Sequence, residues 1–137
     1  MKPIIVDTNI LFAAMRSANS RIREVLERTD LKFYAPNFLV VEIFKHKEKI
    51  LNKSKASEVE IYEFLNHLLR KIQFVNEEHI SLANIIQAYK FCKDVDEKDS
   101  LFVALTFELD GELWTRDEVL KIGLTKKSFT SFFKLEN

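Results

Sequence analysis

Ile4-Ile5-Val6 is an unbroken apolar run of β-branched residues that stops abruptly at Asp7. Successive residues of a strand point to opposite faces, so a strand without polar alternation must be covered on both sides. That demand excludes a sheet with one wet face and favours a buried, mostly parallel sheet. The rest of the chain supplies the covering layers. Apolar residues spaced for helices alternate with short apolar runs, which is the pattern of an α/β fold with helices on both faces.

The expected order is as follows. After the first strand come a helix over Ile10 to Met15 and another from about Ser20 to Arg28. Leu31 to Tyr34 reads as a second strand, and Pro36 suits the first turn of a helix running through Glu42 toward Leu51. Ser57 and Glu60 have the spacing of a capping box, opening a helix that carries Ile61, Phe64, Leu65, Leu68 and Leu69. Lys71 to Val75 is a strand or a connection. Asn76 is placed to cap a helix from Glu77 to about Phe91, with Ile80, Ala83, Ile86 and Ala88 as inner positions. Asp96 is placed to cap a helix to Leu109, with Asp99 in its first turn. Asp110-Gly111 is a turn, Glu112 to Thr115 a strand, and Thr130 to Leu135 a last strand.

Two Gly, two Pro and no internal repeat leave nothing to divide 137 residues, so residues 1–137 read as a single domain. At 47% hydrophobic with 12 Phe, the chain can bury a sizeable core and is not a disordered tail. Its longest apolar runs are too short to span a bilayer, and no charged-then-apolar leader precedes Ile4. Cys92 stands alone, which excludes an internal disulfide and fits a reducing, cytoplasmic setting. With 21 basic against 21 acidic residues, the global charge makes no case for nucleic-acid binding. Lys45, Lys47, Lys49, Lys53 and Lys55 are nevertheless crowded into one stretch. That stretch is either a solvated helix face or a phosphate-steering patch that includes Lys45, Lys47 and Lys49.

The chemistry concentrates in four acids. Asp7 ends the first strand, Glu42 interrupts the run Phe38 to Phe44, Asp99 opens the apolar helix Leu101 to Leu105, and Asp117 follows Leu113-Trp114-Thr115. A parallel sheet has its crevice beyond the carboxyl ends of its strands, where Asp7 and Asp117 fall by position alone. Each acid also has a structural reading. Asp7, Asp96 and Asp117 could cap helices, Asp99 could favour a helix dipole, and Glu42 could pair with a Lys or Arg. No side of the segment around Glu42 looks clearly solvated, so its carboxylate is expected to have a partner. Gathered together the four would repel one another unless divalent cations joined them, which points to a hard-metal site and phosphate chemistry.

The set Asp7-Thr8-Asn9, Glu42 on a helix, Asp99-Ser100-Leu101-Phe102-Val103-Ala104-Leu105 and Trp114-Thr115-Arg116-Asp117 resembles the PIN domain, in the form of small single-domain prokaryotic nucleases. The resemblance runs from Ile4 to about Leu124. It implies a three-layer α/β/α PIN-like fold with a mostly parallel central sheet, and an endoribonuclease dependent on Mg²⁺ or Mn²⁺. Carried over, Asp7, Glu42, Asp99 and Asp117 become the catalytic, metal-binding set, with Asn9 and Thr115 orienting the carboxylates and Asp96 an additional acid, ligand or cap. Small PIN proteins are often toxins, so an antitoxin partner and a homodimer are expected beside the RNA substrate. The alternative is a non-catalytic PIN-like module that binds RNA or protein.

Other acid-bearing folds fit less well. A phosphotransferase of the haloacid-dehalogenase type needs a second Asp where this chain has Asn9. A receiver domain needs paired acids before its Asp, and a P-loop or dinucleotide fold needs more than the isolated Gly111 and Gly123. His46 and His79 have no partner spacing for a histidine-based ribonuclease, and His67 reads as a helix-face residue.

Overall fold

A computed structural model describes residues 2–16, 21–53 and 57–135. Four parallel strands form the centre: β1 (Ile4–Val6), β2 (Phe33–Pro36), β3 (Ile72–Val75) and β4 (Glu112–Trp114), in the spatial order β3-β2-β1-β4. Ile4, Ile5 and Val6 are all buried to within 1% exposure, so both faces of β1 are covered. Burying each such side chain is worth about 1.5–3 kcal/mol. That is of the same order as the roughly 1–2 kcal/mol lost in fixing one residue's backbone, so a strand this short depends on burial of every side chain.

The helices are α1 (Thr8–Arg16), α2 (Arg21–Leu26), α3 (Phe38–Lys53), α4 (Glu58–Leu69), α5 (Leu82–Cys92), α6 (Ser100–Leu109) and α7 (Glu118–Lys126). The most apolar is α6, in which Phe102, Val103, Ala104, Leu105 and Thr106 are consecutively buried. It packs between α5 and the strands β1, β2 and β4, while α1 packs with α2, α3 and α4. The expected start at Ser20 lies outside the described residues, and α2 is described from Arg21. The expected capping box is present: the Ser57 hydroxyl accepts from the Glu60 N–H, and Glu60 Oε1 accepts from the Ser57 N–H.

Four expectations are corrected. The second strand starts and ends two residues later than Leu31 to Tyr34, and Pro36 closes it instead of opening a helix. The proline lies in register with Val75, and the next N–H, of Asn37, donates to the Val75 carbonyl; α3 then begins at Phe38, whose N–H is accepted by Glu77 Oε2. Asn76 caps only one 3₁₀ turn, Glu77–His79, because the chain becomes extended at Ile80 to bury that side chain. Ser81 caps a fresh helix, α5, whose restart shifts the phase: Ala88 and Cys92 are inside, Ile85 packs on the core, and Ala83 and Ile86 face outward. Asp96 likewise caps a 3₁₀ turn, Glu97–Asp99, and Asp99 holds the N-cap position of α6.

The fourth correction concerns Thr130 to Leu135, which forms a single bridge, Phe132 to Leu113, and no full strand. The Phe132 N–H turns back to the Thr130 carbonyl, bending the segment out of the ladder. Rings hold it instead: Phe132 packs on Phe129 and Phe133 on Trp114.

The turn into β4 is tightly specified. Asp110 takes a left-handed conformation at φ 49° to end α6, and the Gly111 N–H returns to the Thr106 carbonyl. A side chain on Gly111 would put its Cβ 2.5 Å from the Pro3 carbonyl oxygen. Only glycine lets this turn lie against the strand entering β1.

Candidate active site

The chain reverses its direction of travel across the sheet at β1, with β2 on one side and β4 on the other. A crevice therefore opens beyond the carboxyl ends of these two adjacent strands. Asp7 leaves β1 there, and Thr115, Arg116 and Asp117 leave β4. The two exits are tied by the Asp7 N–H, which donates to the Trp114 carbonyl at 3.0 Å.

Polar side chains bind the exits further. Thr115 donates its hydroxyl to Asp7 Oδ2 at 2.7 Å and accepts from the Asp117 N–H. The Asn9 amide donates to Asp7 Oδ2 and to the Thr115 hydroxyl, while its own oxygen accepts from the Arg116 N–H. Asp7 Oδ1 takes the Thr8 N–H at 2.8 Å, and the Thr8 hydroxyl donates to Glu42 Oε1 at 2.7 Å. Thr8 thus joins the first strand to α3. It sits inside the Asp7-Thr8-Asn9 motif, but its partner lies 34 residues away, so neighbouring sequence gives no sign of this role.

Glu42 is half-buried on α3, beside an inward row of Leu39, Ile43 and Ile50. The segment does have a solvated side, contrary to expectation, since Val41 is 58% and Phe44 60% exposed. Asp117 is both neighbour and cap: its Oδ1 accepts the Leu120 N–H at the start of α7. Asp99 is different. Its Oδ2 is buried with no hydrogen-bond partner, as is the neighbouring Ser100 hydroxyl oxygen. A buried carboxylate oxygen left without a donor is costly, so this is the one member of the set whose surroundings do not account for it.

Electrostatics tie the acids into one group. Burial pushes the Asp99 carboxyl up to about 8, reinforced by the negative charges of Asp7, Asp96, Asp117 and Glu42. Burial also pushes Asp7 up to about 6; the Thr115 hydroxyl and Thr8 N–H pull it down, and Glu42 and Asp117 push it up. Crowded like charges that raise one another's proton affinity are what a multivalent cation relieves. The donors are all oxygen, which suits a hard ion such as Mg²⁺ or Mn²⁺. As they stand, no three acids among the described residues are close enough to hold one ion. The donor chemistry and the unpartnered Asp99 oxygen fit such an ion; closing on it would require the carboxylates to draw together.

Asp96 is exposed, and its Oδ1 accepts the Lys98 N–H. Its geometry is that of a cap, and it reaches the group only through its charge on Asp99. The lysines divide. Lys45, Lys49 and Lys53 follow Glu42 by three, seven and eleven residues, which puts them on its flank of α3; Lys47 follows by five and falls on the other flank. Lys55 lies outside the described residues. Two arginines that the sequence did not single out complete the rim: Arg16 and Arg116 line a recess with Asn9 and Asp117.

A parallel sheet with an oxygen-lined crevice at its switch point defines an α/β protein with an acidic candidate site at the carboxyl ends of its strands. The family comparison gives that class its name: residues 5–132 match the PIN domain, and the chain belongs to this family. PIN domains are a nuclease-type family and generally use divalent metals. A comparison with curated proteins gave no match. Among the described residues no helix is long and apolar enough to cross a membrane.

Proposed function

We propose that this chain is a divalent-metal-dependent endoribonuclease that hydrolyses RNA phosphodiester bonds with Asp7, Glu42, Asp99 and Asp117 as its acid set. The observation that carries the reading is the buried, unpartnered Asp99 Oδ2 within a group of mutually repelling carboxylates, in a chain of a nuclease-type family. Thr115 and Asn9 orient Asp7, and Thr8 orients Glu42. One oxygen of Glu42 and one of Asp117 are engaged by protein donors, which leaves the other oxygen of each for a cation. Mg²⁺ or Mn²⁺, when bound, would offset the crowded negative charge and lower the pKa of an attacking water. In-line hydrolysis would leave a 5′-phosphate and a 3′-hydroxyl.

Metal-dependent cleavage of a mixed RNA pool, with the product ends identified, tests this. Cleavage should require Mg²⁺ or Mn²⁺, vanish in Asp7→Asn, and coincide with a metal-induced rise in melting temperature that the variant loses. A folded wild-type protein that neither cleaves nor gains stability with either metal would overturn the proposal. The alternative, a non-catalytic RNA- or protein-binding module, predicts binding without turnover. An antitoxin partner and a homodimer belong to the same reading as its finer form. Gene neighbourhood, copurification and light scattering of the purified chain test them.

A further inference from the structure

One turn of helix away from the Thr8–Glu42 contact, α1 and α3 enclose a second, differently built cleft. Phe12 and Arg16 line it from α1; His46, Lys49, Ile50 and Lys53 line it from α3. The positions are consistent with single helix edges: Phe12 and Arg16 are four residues apart, and the α3 set falls at intervals of three and four. Ile50, 6% exposed, is its apolar floor. Phe12 and His46 meet edge to face, with ring centres 5.9 Å apart at 85°. Arg16, Lys49 and Lys53 bring three exposed cations, and among the described residues no carboxylate lines the cleft. Among the described residues neither lysine has a carboxylate partner; Arg16 directs only its Nε to the Phe12 carbonyl, at 3.4 Å.

We propose that this cleft is a single-nucleotide subsite, holding the base and phosphate of the nucleotide next to the bond presented to the acids. The position of that bond rests on the nuclease reading; occupancy by a nucleotide does not. Three features select this occupant. Flat rings beside an arginine offer stacking surface to a base, and the lysines offer charge to a phosphate. The volume, about 270 Å³, lies just below the usual range for small-molecule sites and suits one nucleotide unit better than a peptide segment. An acidic side chain would answer the cations but leave the rings and Ile50 without a stacked partner. Arg16 also lines the recess with Asn9, Arg116 and Asp117, so the cleft adjoins the acid group.

Metal-free NMR titration of the wild-type chain with nucleoside 5′-monophosphates, and with ribose 5-phosphate as the base-free probe, tests occupancy. Nucleotides should shift the Phe12, His46 and Ile50 signals, with ribose 5-phosphate binding about tenfold weaker or less. His46→Ala and Lys49→Glu should each weaken nucleotide binding about tenfold, His46→Phe should restore most of it, and Lys47→Ala on the opposite flank should change nothing. On an RNA substrate, His46→Ala should raise KM with kcat little altered. A nucleotide that shifts none of these signals, equal binding of ribose 5-phosphate, or tighter binding of an acidic peptide would overturn the subsite. An unchanged KM in a folded, cleaving His46→Ala protein would overturn it too. A wild-type chain that binds nucleotide here but never cleaves RNA would defeat the nuclease reading and leave the subsite standing.

Discussion

Thr115 donates its hydroxyl to Asp7 Oδ2 at 2.7 Å, linking residues 108 positions apart across the carboxyl ends of two adjacent strands. Both residues are buried, at 2% and 4% exposure, so water cannot take over the hydroxyl's role. The same oxygen also receives the Asn9 amide and the Asp117 N–H. One threonine therefore sets the orientation of the first carboxylate and the backbone leading to the last.

Thr115→Val keeps the shape of the side chain and removes this junction. It should cost about 1–3 kcal/mol, because Asp7 Oδ2 and the Asn9 amide each lose one of their hydrogen bonds and the Asp117 N–H loses its acceptor. Metal-dependent stabilisation should weaken as Asp7 loses its orientation, and Thr115→Ser should retain most of both. Thermal melts with and without Mn²⁺ measure the pair; a Thr115→Val protein with wild-type metal response would show that Asp7 needs no hydroxyl to orient it.

The metal-free protein should become less stable as pH rises from about 4 to 8. Asp7 and Asp99 have folded-state pKa values of about 6 and about 8, both raised from 3.8. A carboxyl with a raised pKa holds its proton in the folded state where the unfolded chain has lost it. Its stabilising contribution is full below the unfolded value and is lost as pH climbs through the folded one. Asp99→Asn should flatten the upper part of this profile and be more stable than wild type at pH 8, on the order of 1–2 kcal/mol after allowing for partial exposure. Chemical denaturation in chelator at pH 5 and pH 8 checks it. Parallel profiles for the two proteins would disprove the crowding argument.

Asp96 and Asp99 should separate by function. Asp96→Ser keeps a cap for the 3₁₀ turn and should retain most metal-dependent cleavage, while Asp96→Ala should lose about 1 kcal/mol of stability. Asp99→Asn should abolish cleavage without unfolding. Comparing activity and melting temperature for the three variants decides the matter: an inactive, well-folded Asp96→Ser protein would make Asp96 a working member of the acid set.

Gly111→Ala should destabilise the protein by roughly 2–4 kcal/mol, since its Cβ would meet the Pro3 carbonyl oxygen at 2.5 Å and that oxygen already accepts the Glu112 N–H. Neither partner can move without disturbing the β1–β4 pairing that aligns Asp7 with Asp117. Denaturant unfolding measures the loss; a shift within a few tenths of a kcal/mol would mean the turn has room to relax.

The sequence alone determined the features that depend on neighbours along the chain. The apolar run at β1 required cover on both faces, the Ser57–Glu60 spacing required a capped helix, and the strand-then-acid pattern put Asp7 and Asp117 at one rim of a parallel sheet. Distance along the chain marks where that reading stopped. Ile80 left the helical path because the core had a place for it, which shifted the inner face of α5. Thr130 to Leu135 stopped at one bridge to Leu113, where the Phe132 N–H turns back to Thr130 and the rings of Phe132 and Phe133 pack on Phe129 and Trp114. Thr8 meets Glu42, and His46 meets Phe12, only because α1 and α3 pack side by side. Such contacts arise when the chain closes on itself, since burial and hydrogen bonding are then satisfied by residues that local propensity cannot see. The tertiary structure alone decided which acids feel one another's charge, which oxygen goes unpartnered, and which lysines share the flank of Glu42.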